Sequence, residues 1–167
     1  YLAKGGDLHR MVAEVYCRLS GCSRGRGGSM HLRDVSAGVL GSAPIVAGTI
    51  SLALGAALAA GICRSKRVVA TFFGDGAAGE GVLYEALNFA ALKKLPLIFV
   101  CENNLYSTHM PIRECRVSPH IVGVARPFSI PAWQCDGNDI FKVIKTADMA
   151  VSRCRKGDGP VFLEFMT

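Results

Sequence analysis

Four short apolar runs alternate along the chain with stretches of helical periodicity, and this alternation restricts the possible folds most strongly. The runs are VVATFF at 68–73, LIFVC at 97–101, AWQC at 132–135 and VFLEF at 161–165. Strand–helix–strand repeats are typical of a parallel sheet with helices on both faces, whose strands are buried and continuously apolar. We therefore predict one α/β domain over residues 1–167.

Helices are predicted between and before these runs from the spacing of apolar residues. Asp7 is positioned to cap a helix over 8–19, and a Gly- and Ala-rich helix is expected from about 49 to 63. Further helices are expected over 82–94 and, more weakly, near 119–126, and Asn138 or Asp139 should cap one that reaches 156. The predicted inward faces are Leu8, Met11, Val12, Val15 and Leu19 in the first helix, and Ile140, Val143, Ile144, Ala147, Val151 and Cys154 in the last.

The uncharged segment 45–63 raises the question of a membrane span. It has 19 residues, close to a spanning length, but much of it is Gly, Ala, Ser and Thr, and no Trp or Tyr flanks it. A helix lined with small residues that packs closely against another element is the preferred interpretation. The mean hydropathy of the chain, +0.31, is then explained by this helix and by buried strands.

Charge and cysteine usage argue against several other classes of protein. The net charge of +6 comes from scattered basic residues without interleaved aromatics, so we expect no nucleic-acid binding. The seven cysteines include no C-x-x-C pair. An odd number at irregular spacing, partly within apolar runs, indicates reduced, buried thiols in a cytosol-like compartment.

Polar clusters follow the strands at the point where ligands bind in open α/β sheets. Gly74, Asp75 and Gly76 follow the first strand, and 102–104 (ENN) follow the second. A Gly-Asp-Gly turn lets the backbone approach a phosphate, and the next helix directs free N–H groups toward the same place. A carboxylate, an amide oxygen and a backbone carbonyl together suit Mg²⁺. Alone, each motif is more often a simple turn or cap, whereas the combination predicts a magnesium–diphosphate site.

GDG and NN, separated by about 25 residues, form a motif that resembles the binding signature of thiamine-diphosphate enzymes. The stretch 74–106 resembles the alpha subunit of the decarboxylating component of 2-oxo acid dehydrogenases, of the pyruvate and acetoin dehydrogenase type. The likeness extends through GRGGSMHL at 25–32, CDGND at 135–139 and GPVFLEFMT at 159–167. It implies the thiamine-diphosphate-binding fold over the whole chain.

The resemblance also implies roles for individual residues. Asp75, Asn104 and the Tyr106 carbonyl would bind Mg²⁺. The backbone N–H groups of Gly76 and Ala77 would meet the diphosphate, with Ser107 beside it. Pro44 and Val46 match the segment that contacts the aminopyrimidine ring. His31 and His109 are candidates for the substrate side of the site, and the alternative for each is a structural loop histidine.

The implied activity is oxidative decarboxylation of pyruvate or a similar 2-oxo acid, or acetoin cleavage, with acyl transfer to a lipoyl carrier. The expected partners are a beta subunit in an α₂β₂ assembly, a lipoyl-bearing acyltransferase component and a small 2-oxo acid. No membrane association is expected, and the implied location is the bacterial cytoplasm or the mitochondrial matrix. A transketolase-like thiamine-diphosphate enzyme and a non-catalytic interaction module remain alternatives.

The chain departs from the family pattern in places. It begins after the Tyr-Arg segment that normally grips the cofactor and stops before a histidine-bearing loop, so we expect a part of a longer subunit, inactive by itself. Ser129, Ala132 and Gln134 stand where glycine, glycine and arginine are usual.

Overall fold

The four apolar runs form one parallel sheet in the computed structural model, which describes residues 1–167. A short antiparallel hairpin adds two strands after the second run. In chain order the strands are β1 (Val69–Gly74), β2 (Leu97–Asn103), β3 (Tyr106–Ser107), β4 (Met110–Pro111), β5 (Ala132–Asp136) and β6 (Val161–Met166). The sheet order is β1-β2-β6-β5, and every neighbouring pair is parallel. The predicted fold class is confirmed.

Five α-helices accompany the sheet: α1 (Leu8–Val15), α2 (Gly48–Ile62), α3 (Gly81–Leu92), α4 (Ile112–Cys115) and α5 (Ile140–Arg155). Short 3₁₀ helices occupy Leu2–Lys4, Asp75–Gly79 and Val122–Phe128. The units β1-α3-β2 and β5-α5-β6 run in opposite directions along the sheet. Because such crossovers are right-handed, α3 and α5 cover opposite faces.

The core has a layer on each face of the sheet. On the α5 side, buried apolar side chains from the helix and the central strands form one cluster: Ile98, Val100, Ala150, Cys154, Val161, Leu163 and Phe165. On the other side the ring of Phe162 packs against Phe73 and Phe99, at centroid distances of 6.1 and 6.4 Å. Helix α3 contributes the fully buried Leu83 and Leu87.

The continuous apolar pattern describes only the two central strands correctly. Strands β2 and β6 are buried along almost their whole length. Strand β1 instead alternates between buried and exposed residues, and the ring of Phe72 is 61% exposed. The prediction that every strand is covered on both faces is therefore wrong for β1 and for β5, because both lie at the edges of the sheet.

Several helix predictions need correction. Helix α1 ends at Val15 rather than 19, and its predicted inward residues Leu8, Val12 and Val15 are exposed. In α5, Ile140 and Ile144 are also exposed, whereas Cys154 is buried as predicted. Ala150 is buried as well, although it was not among the predicted inward residues. The weak helix expected near 119–126 is a 3₁₀ helix two to three residues further along. The spacing of apolar residues identifies an apolar stripe on a helix, but it does not show whether another element packs against that stripe.

The Gly- and Ala-rich helix is confirmed within one residue of its predicted ends. Helix α2 buries Ile50, Ala53, Ala57 and Ala60. Its other face leaves Leu52 and Ile62 exposed. No helix in the protein has the length and apolar character needed to cross a membrane.

Contacts divide the chain into two compact units, Tyr1–Thr49 and Ile50–Thr167. The first unit is organised around Glu14, whose side chain is fully buried. Its carboxylate accepts hydrogen bonds from the backbone N–H groups of Ser23, Gly25 and Gly27, at 2.7, 2.9 and 2.7 Å. Burial acts to raise the pKa of Glu14, but these donors outweigh it, and the pKa lies below its ordinary value.

All seven cysteines are free thiols, but the prediction that they are buried is only partly right. Cys101 and Cys154 are buried, whereas Cys17, Cys63 and Cys115 are exposed. Burial is the main cause that raises the pKa of the Cys101 thiol far above its ordinary value, and the nearby carboxylates of Glu164 and Asp75 add to it. Burial likewise raises the pKa of Cys154 to about 11. Both buried thiols therefore stay protonated and unreactive at neutral pH.

Ser129, one of the positions where the resemblance implies glycine, has left-handed backbone with φ 56°. It terminates the 3₁₀ helix Val122–Phe128, and its N–H donates to the Arg126 carbonyl. Glycine adopts this conformation without the steric cost that a side chain imposes. The substitution therefore leaves local strain at this turn.

Candidate functional site

The first two polar clusters meet at one edge of the sheet. Strands β1 and β2 pair in register from Val69 with Leu97 to Gly74 with Glu102. Their carboxyl ends are therefore level, and the segments that follow them begin side by side. This confirms the predicted placement of the Gly-Asp-Gly and Glu-Asn-Asn clusters next to each other.

Asp75 begins the 3₁₀ helix Asp75–Gly79 directly after β1. Its side chain is 2% exposed, and its Oδ2 atom has no hydrogen-bond partner. Ala77 and Ala78 are buried in the same turn. A buried carboxylate oxygen without a partner is costly, because the oxygen loses its hydration and receives no compensating bond. This oxygen is available to a ligand.

Gly76 lies closely against Ser107 of the β3–β4 hairpin. A Cβ atom built on Gly76 would come within 2.8 Å of the Ser107 Cβ and closer still to its Oγ. Such contacts are sterically forbidden, so only glycine lets the turn approach the hairpin this closely. The predicted cofactor residues Asp75, Gly76 and Ser107 therefore lie close together.

Asn104 follows β2 directly, and Tyr106 begins the hairpin strand β3. Asn104 Oδ1 accepts a hydrogen bond from the Tyr106 N–H at 2.9 Å. Between them, Leu105 has left-handed backbone with φ 68°. Asn104 and Tyr106 are both exposed.

Asn103 stabilises the turn at 104–106 through buried hydrogen bonds, a role that the sequence did not predict. Its side chain is fully buried, and Oδ1 accepts the Leu105 N–H at 3.0 Å. Its Nδ2 donates to Glu164 Oε1 at 2.6 Å and to the Pro119 carbonyl at 2.9 Å. Glu164, also fully buried, further accepts the N–H groups of Ile121 and Val122. In the sequence, the only sign of this role is that Asn103 and Glu164 are polar residues within apolar strands.

A small cleft of about 70 Å³ opens at this edge of the sheet. It is lined by three predicted residues, Asp75, Gly76 and Ser107, and by Gly79, Ile112, Cys115 and Arg116. Asn104 and Tyr106 do not line it, although the β3 strand that contains Tyr106 packs against the turn at Asp75–Gly79. No spacing or motif in the sequence identified Cys115 or Arg116.

The remaining predicted site residues lie outside this cleft. His109 is exposed at the tip of the β3–β4 hairpin, and no hydrogen bond fixes its ring. His31, Pro44 and Val46 belong to the first unit, and all three are exposed. Within that unit a wider cleft of about 520 Å³ is lined by Arg10, Arg24, Arg26, Arg33 and neighbouring residues. None of the predicted site residues lines it.

The donor set at the sheet edge fits a magnesium ion and a diphosphate. Asp75 offers a buried carboxylate oxygen that has no partner, and Asn104 offers an amide oxygen. Gly76 brings backbone into the cleft where a side chain would not fit. Hard oxygen ligands suit Mg²⁺, and closely approaching backbone suits phosphate.

The sequence is similar to one family over its whole length. The profile of the dehydrogenase E1 component family matches residues 1–167. The acetoin:2,6-dichlorophenolindophenol oxidoreductase alpha subunit of Bacillus subtilis is 42% identical over 166 residues, which are 99% of this chain and 50% of that protein. The pyruvate dehydrogenase E1 alpha subunit of Porphyra purpurea is 40% identical over 174 residues, with coverage of 99% and 50%. The chain thus spans about half the length of the curated relatives it matches.

A solved structure gives independent support for the fold. A proposed thiamin diphosphate-dependent enzyme from Mycobacterium smegmatis superposes with a TM-score of 0.52 at 23% identity. The match covers 71% of this chain and 21% of that one. At this level of identity the likeness concerns the architecture of the sheet and its helices.

Proposed function

The chain belongs to the dehydrogenase E1 component family, and on this basis we propose that it forms the magnesium- and diphosphate-binding part of a thiamine-diphosphate-dependent alpha subunit. The proposed reaction is oxidative decarboxylation of pyruvate or a similar 2-oxo acid, or acetoin cleavage. The relatives named for pyruvate dehydrogenase and for acetoin oxidoreductase support both substrates.

The observation that supports this most strongly is the buried Asp75 carboxylate with its unpartnered Oδ2. It lies in a Gly-Asp-Gly turn that faces Ser107 at the carboxyl edge of a parallel sheet. A metal ion provides the partner that this oxygen lacks, because a cation offsets the loss of hydration. A turn of purely structural function would satisfy its carboxylate with its own N–H groups.

In this proposal Asp75, Asn104 and the Tyr106 carbonyl bind Mg²⁺, and the N–H groups of Gly76 and Ala77 donate to the diphosphate beside Ser107. When bound, the thiamine ring supplies an electron sink for loss of the substrate carboxylate. The chain's own residues position the diphosphate end. Burial of Asp75 and Ala77 keeps water from that end of the site.

The other predicted residues take the remaining roles in this proposal. We assign Pro44 and Val46 to the aminopyrimidine side, where an apolar side chain supports the bent cofactor. His31 and His109 are assigned to the substrate side. The exposure of His109 leaves its ring free to meet a substrate.

The proposed assembly is α₂β₂, with a beta subunit that completes the site and a lipoyl-bearing acyltransferase that accepts the acyl group. The exposed apolar residues of α2, Leu52 and Ile62, are available for such a contact. The proposed location is the bacterial cytoplasm or the mitochondrial matrix.

Calorimetry on the whole subunit, purified with its beta subunit, tests the site directly. We expect Mg²⁺ and thiamine diphosphate to bind the native protein and to lose most of their affinity in Asp75→Asn, which removes the charge but keeps the shape. Asp148→Asn, which changes an exposed carboxylate on α5, is the matched control. Equal heats for native protein and Asp75→Asn would contradict the assignment.

Substrate turnover then distinguishes the alternatives. Cofactor-dependent reduction of an artificial electron acceptor by pyruvate, acetoin or branched 2-oxo acids supports the dehydrogenase. Turnover of a ketose phosphate instead would indicate a transketolase-like enzyme. Absence of cofactor binding in the intact assembly would indicate an interaction module.

A further inference from the structure

Arg116 places a positive charge in the cleft that holds Asp75. It follows α4, is half-buried, and lines the cleft together with Asp75, Gly76 and Ser107. Both ion pairs in the chain involve Lys142, so Arg116 forms no ion pair with a carboxylate. The cleft therefore contains a guanidinium without an ion pair and a carboxylate oxygen without a hydrogen-bond partner, a combination that suits a ligand with both signs of charge.

Two neutral oxygens hold the guanidinium in this position. Arg116 Nη1 donates to the Ala78 carbonyl at 3.0 Å, and Nη2 donates to the Tyr84 hydroxyl at 3.4 Å. The Tyr84 hydroxyl itself donates to the same Ala78 carbonyl at 3.2 Å. The guanidinium is therefore fixed to the 3₁₀ turn that contains Gly76 and Ala77, without any loss of charge.

These contacts leave most of the donors of Arg116 unused. A guanidinium has five N–H donors, and two of them have acceptors within the chain. The other three have none. A pre-positioned planar fork with free donors is suited to phosphate oxygens, which accept paired, charge-assisted hydrogen bonds.

We propose that Arg116 is a binding residue for the diphosphate group, which it contacts directly from the α4 side of the cleft. The inference rests on the proposed function, since it takes the diphosphate-bearing cofactor as the ligand. A diphosphate has more negative charge than one Mg²⁺ neutralises. The charge of Arg116 balances part of this excess.

The alternative is that Arg116 only braces the turn through Ala78. The two roles differ in what they predict for Tyr84→Phe. That variant removes the hydroxyl hydrogen bonds to Ala78 and Arg116 but leaves the guanidinium charge and its bond to the Ala78 carbonyl. A bracing role makes Tyr84→Phe and Arg116→Gln similarly harmful to binding, whereas a direct contact makes only Arg116→Gln harmful.

The test uses the whole subunit in its assembly with the beta subunit and measures equilibrium binding of inorganic diphosphate and of thiamine diphosphate, each with Mg²⁺, by calorimetry. We expect Arg116→Gln to weaken both by about tenfold or more, as for loss of a hydrogen bond to a charged group. Arg116→Lys, which keeps the charge, should lose less, and Tyr84→Phe should stay close to the native protein. Arg113→Gln, on exposed α4 surface, is the matched control.

The salt dependence provides a second measurement on the same samples. Binding to the native protein should weaken more steeply with ionic strength than binding to Arg116→Gln, because one charge contact is absent in the variant. Native affinity in Arg116→Gln, or equal losses in Arg116→Gln and Tyr84→Phe, would overturn the inference while the proposed function stands. Failure of the native assembly to bind thiamine diphosphate would overturn both.

Discussion

Glu164 Oε1 lies 2.6 Å from Asn103 Nδ2, and this buried contact joins residues 61 positions apart. Through it, the last strand of the sheet supports the turn that presents Asn104 and Tyr106. Glu164 also accepts the N–H groups of Ile121 and Val122, so three donors converge on one carboxylate. The candidate metal turn is therefore fixed from inside the protein rather than from its surface.

We expect Glu164→Gln to destabilise the subunit by about 3 kcal/mol, since the amide removes an acceptor and turns its own NH₂ toward buried donors. Urea unfolding, followed by circular dichroism, measures the free energy of unfolding. Glu80→Gln, an exposed residue with no side-chain bond at its helix cap, is the control. An unchanged midpoint for Glu164→Gln would show that the carboxylate is dispensable.

Gly76→Ala tests the close approach of the turn to the hairpin. Its Cβ would overlap Ser107, so we expect a loss of about 1–3 kcal/mol of stability and weaker diphosphate binding. Gly79→Ala, in the same turn but with open space around its Cβ, should be tolerated.

The double variant Gly76→Ala with Ser107→Gly removes the side chain that the new methyl group would meet. It should recover part of the lost stability. If the double variant is no better than Gly76→Ala, the contact with Ser107 is not the cause of the loss.

Cys115 offers a readout of ligand binding that does not depend on turnover. It is an exposed thiol that lines the same cleft as Asp75. We expect Mg²⁺ with thiamine diphosphate to slow its alkylation by iodoacetamide in the assembled protein, followed by mass spectrometry of the modified peptide. Cys63, exposed beyond α2, should react at an unchanged rate. Equal rates at Cys115 with and without ligand would place the ligand elsewhere.

Ser129→Gly should stabilise the protein by roughly 0.5–1 kcal/mol, because glycine relieves the left-handed strain at the cost of more freedom in the unfolded chain. Ala132→Gly is the matched comparison, since the resemblance implies glycine at this position too and Ala132 lies within β5. Glycine weakens a strand, so this change should be destabilising. Chemical denaturation should show a higher free energy of unfolding for Ser129→Gly and a lower one for Ala132→Gly. A destabilised Ser129→Gly would refute the argument from strain.

Asp139 should make the stability of α5 decrease at low pH. Its carboxylate accepts the N–H groups of Lys142 and Phe141 and pairs with the Lys142 ammonium at 3.2 Å, and the hydrogen bond from the Lys142 N–H is the main cause that lowers its pKa. Because the pKa is lower in the folded state, the stabilisation is complete above the ordinary pKa of Asp, about 3.9, and is lost as the pH falls through the folded value. Asp139→Asn should therefore have a lower melting temperature than the native protein at pH 7. The difference should disappear in acid, and a constant difference would exclude the charge as its source.

The fold was largely predictable because the central strands β2 and β6 are buried on both faces and contain almost no polar residues. The GDG and NN clusters were predictable for a related reason: both follow strand ends, and parallel pairing brings those ends together. The local sequence was sufficient to predict a residue's position wherever that position depends on its immediate neighbours in the chain.

The errors have a common origin. The apolar stripe of α1 and the residues Ile140 and Ile144 were predicted to face inward, but spacing does not reveal whether another element covers a stripe. Glu164 appeared as one polar residue in an apolar run, and its partner Asn103 appeared as half of a cofactor motif. Their pairing depends on the sheet order, which places β6 beside β2. Arg116 was missed because its position in the cleft follows from the tertiary path of α4.

The sheet order also has a consequence for synthesis of the chain. Every residue that lines the Asp75 cleft has been added to the chain once Arg116 is translated, whereas Glu164, the buried acceptor for Asn103, is added later. During that interval the nascent chain contains the complete set of cleft residues without the strand that fixes their turn. A ribosome paused between residues 116 and 164 would therefore hold a chain in which every cleft residue has been translated. The Glu164 carboxylate that fixes the turn would still be absent.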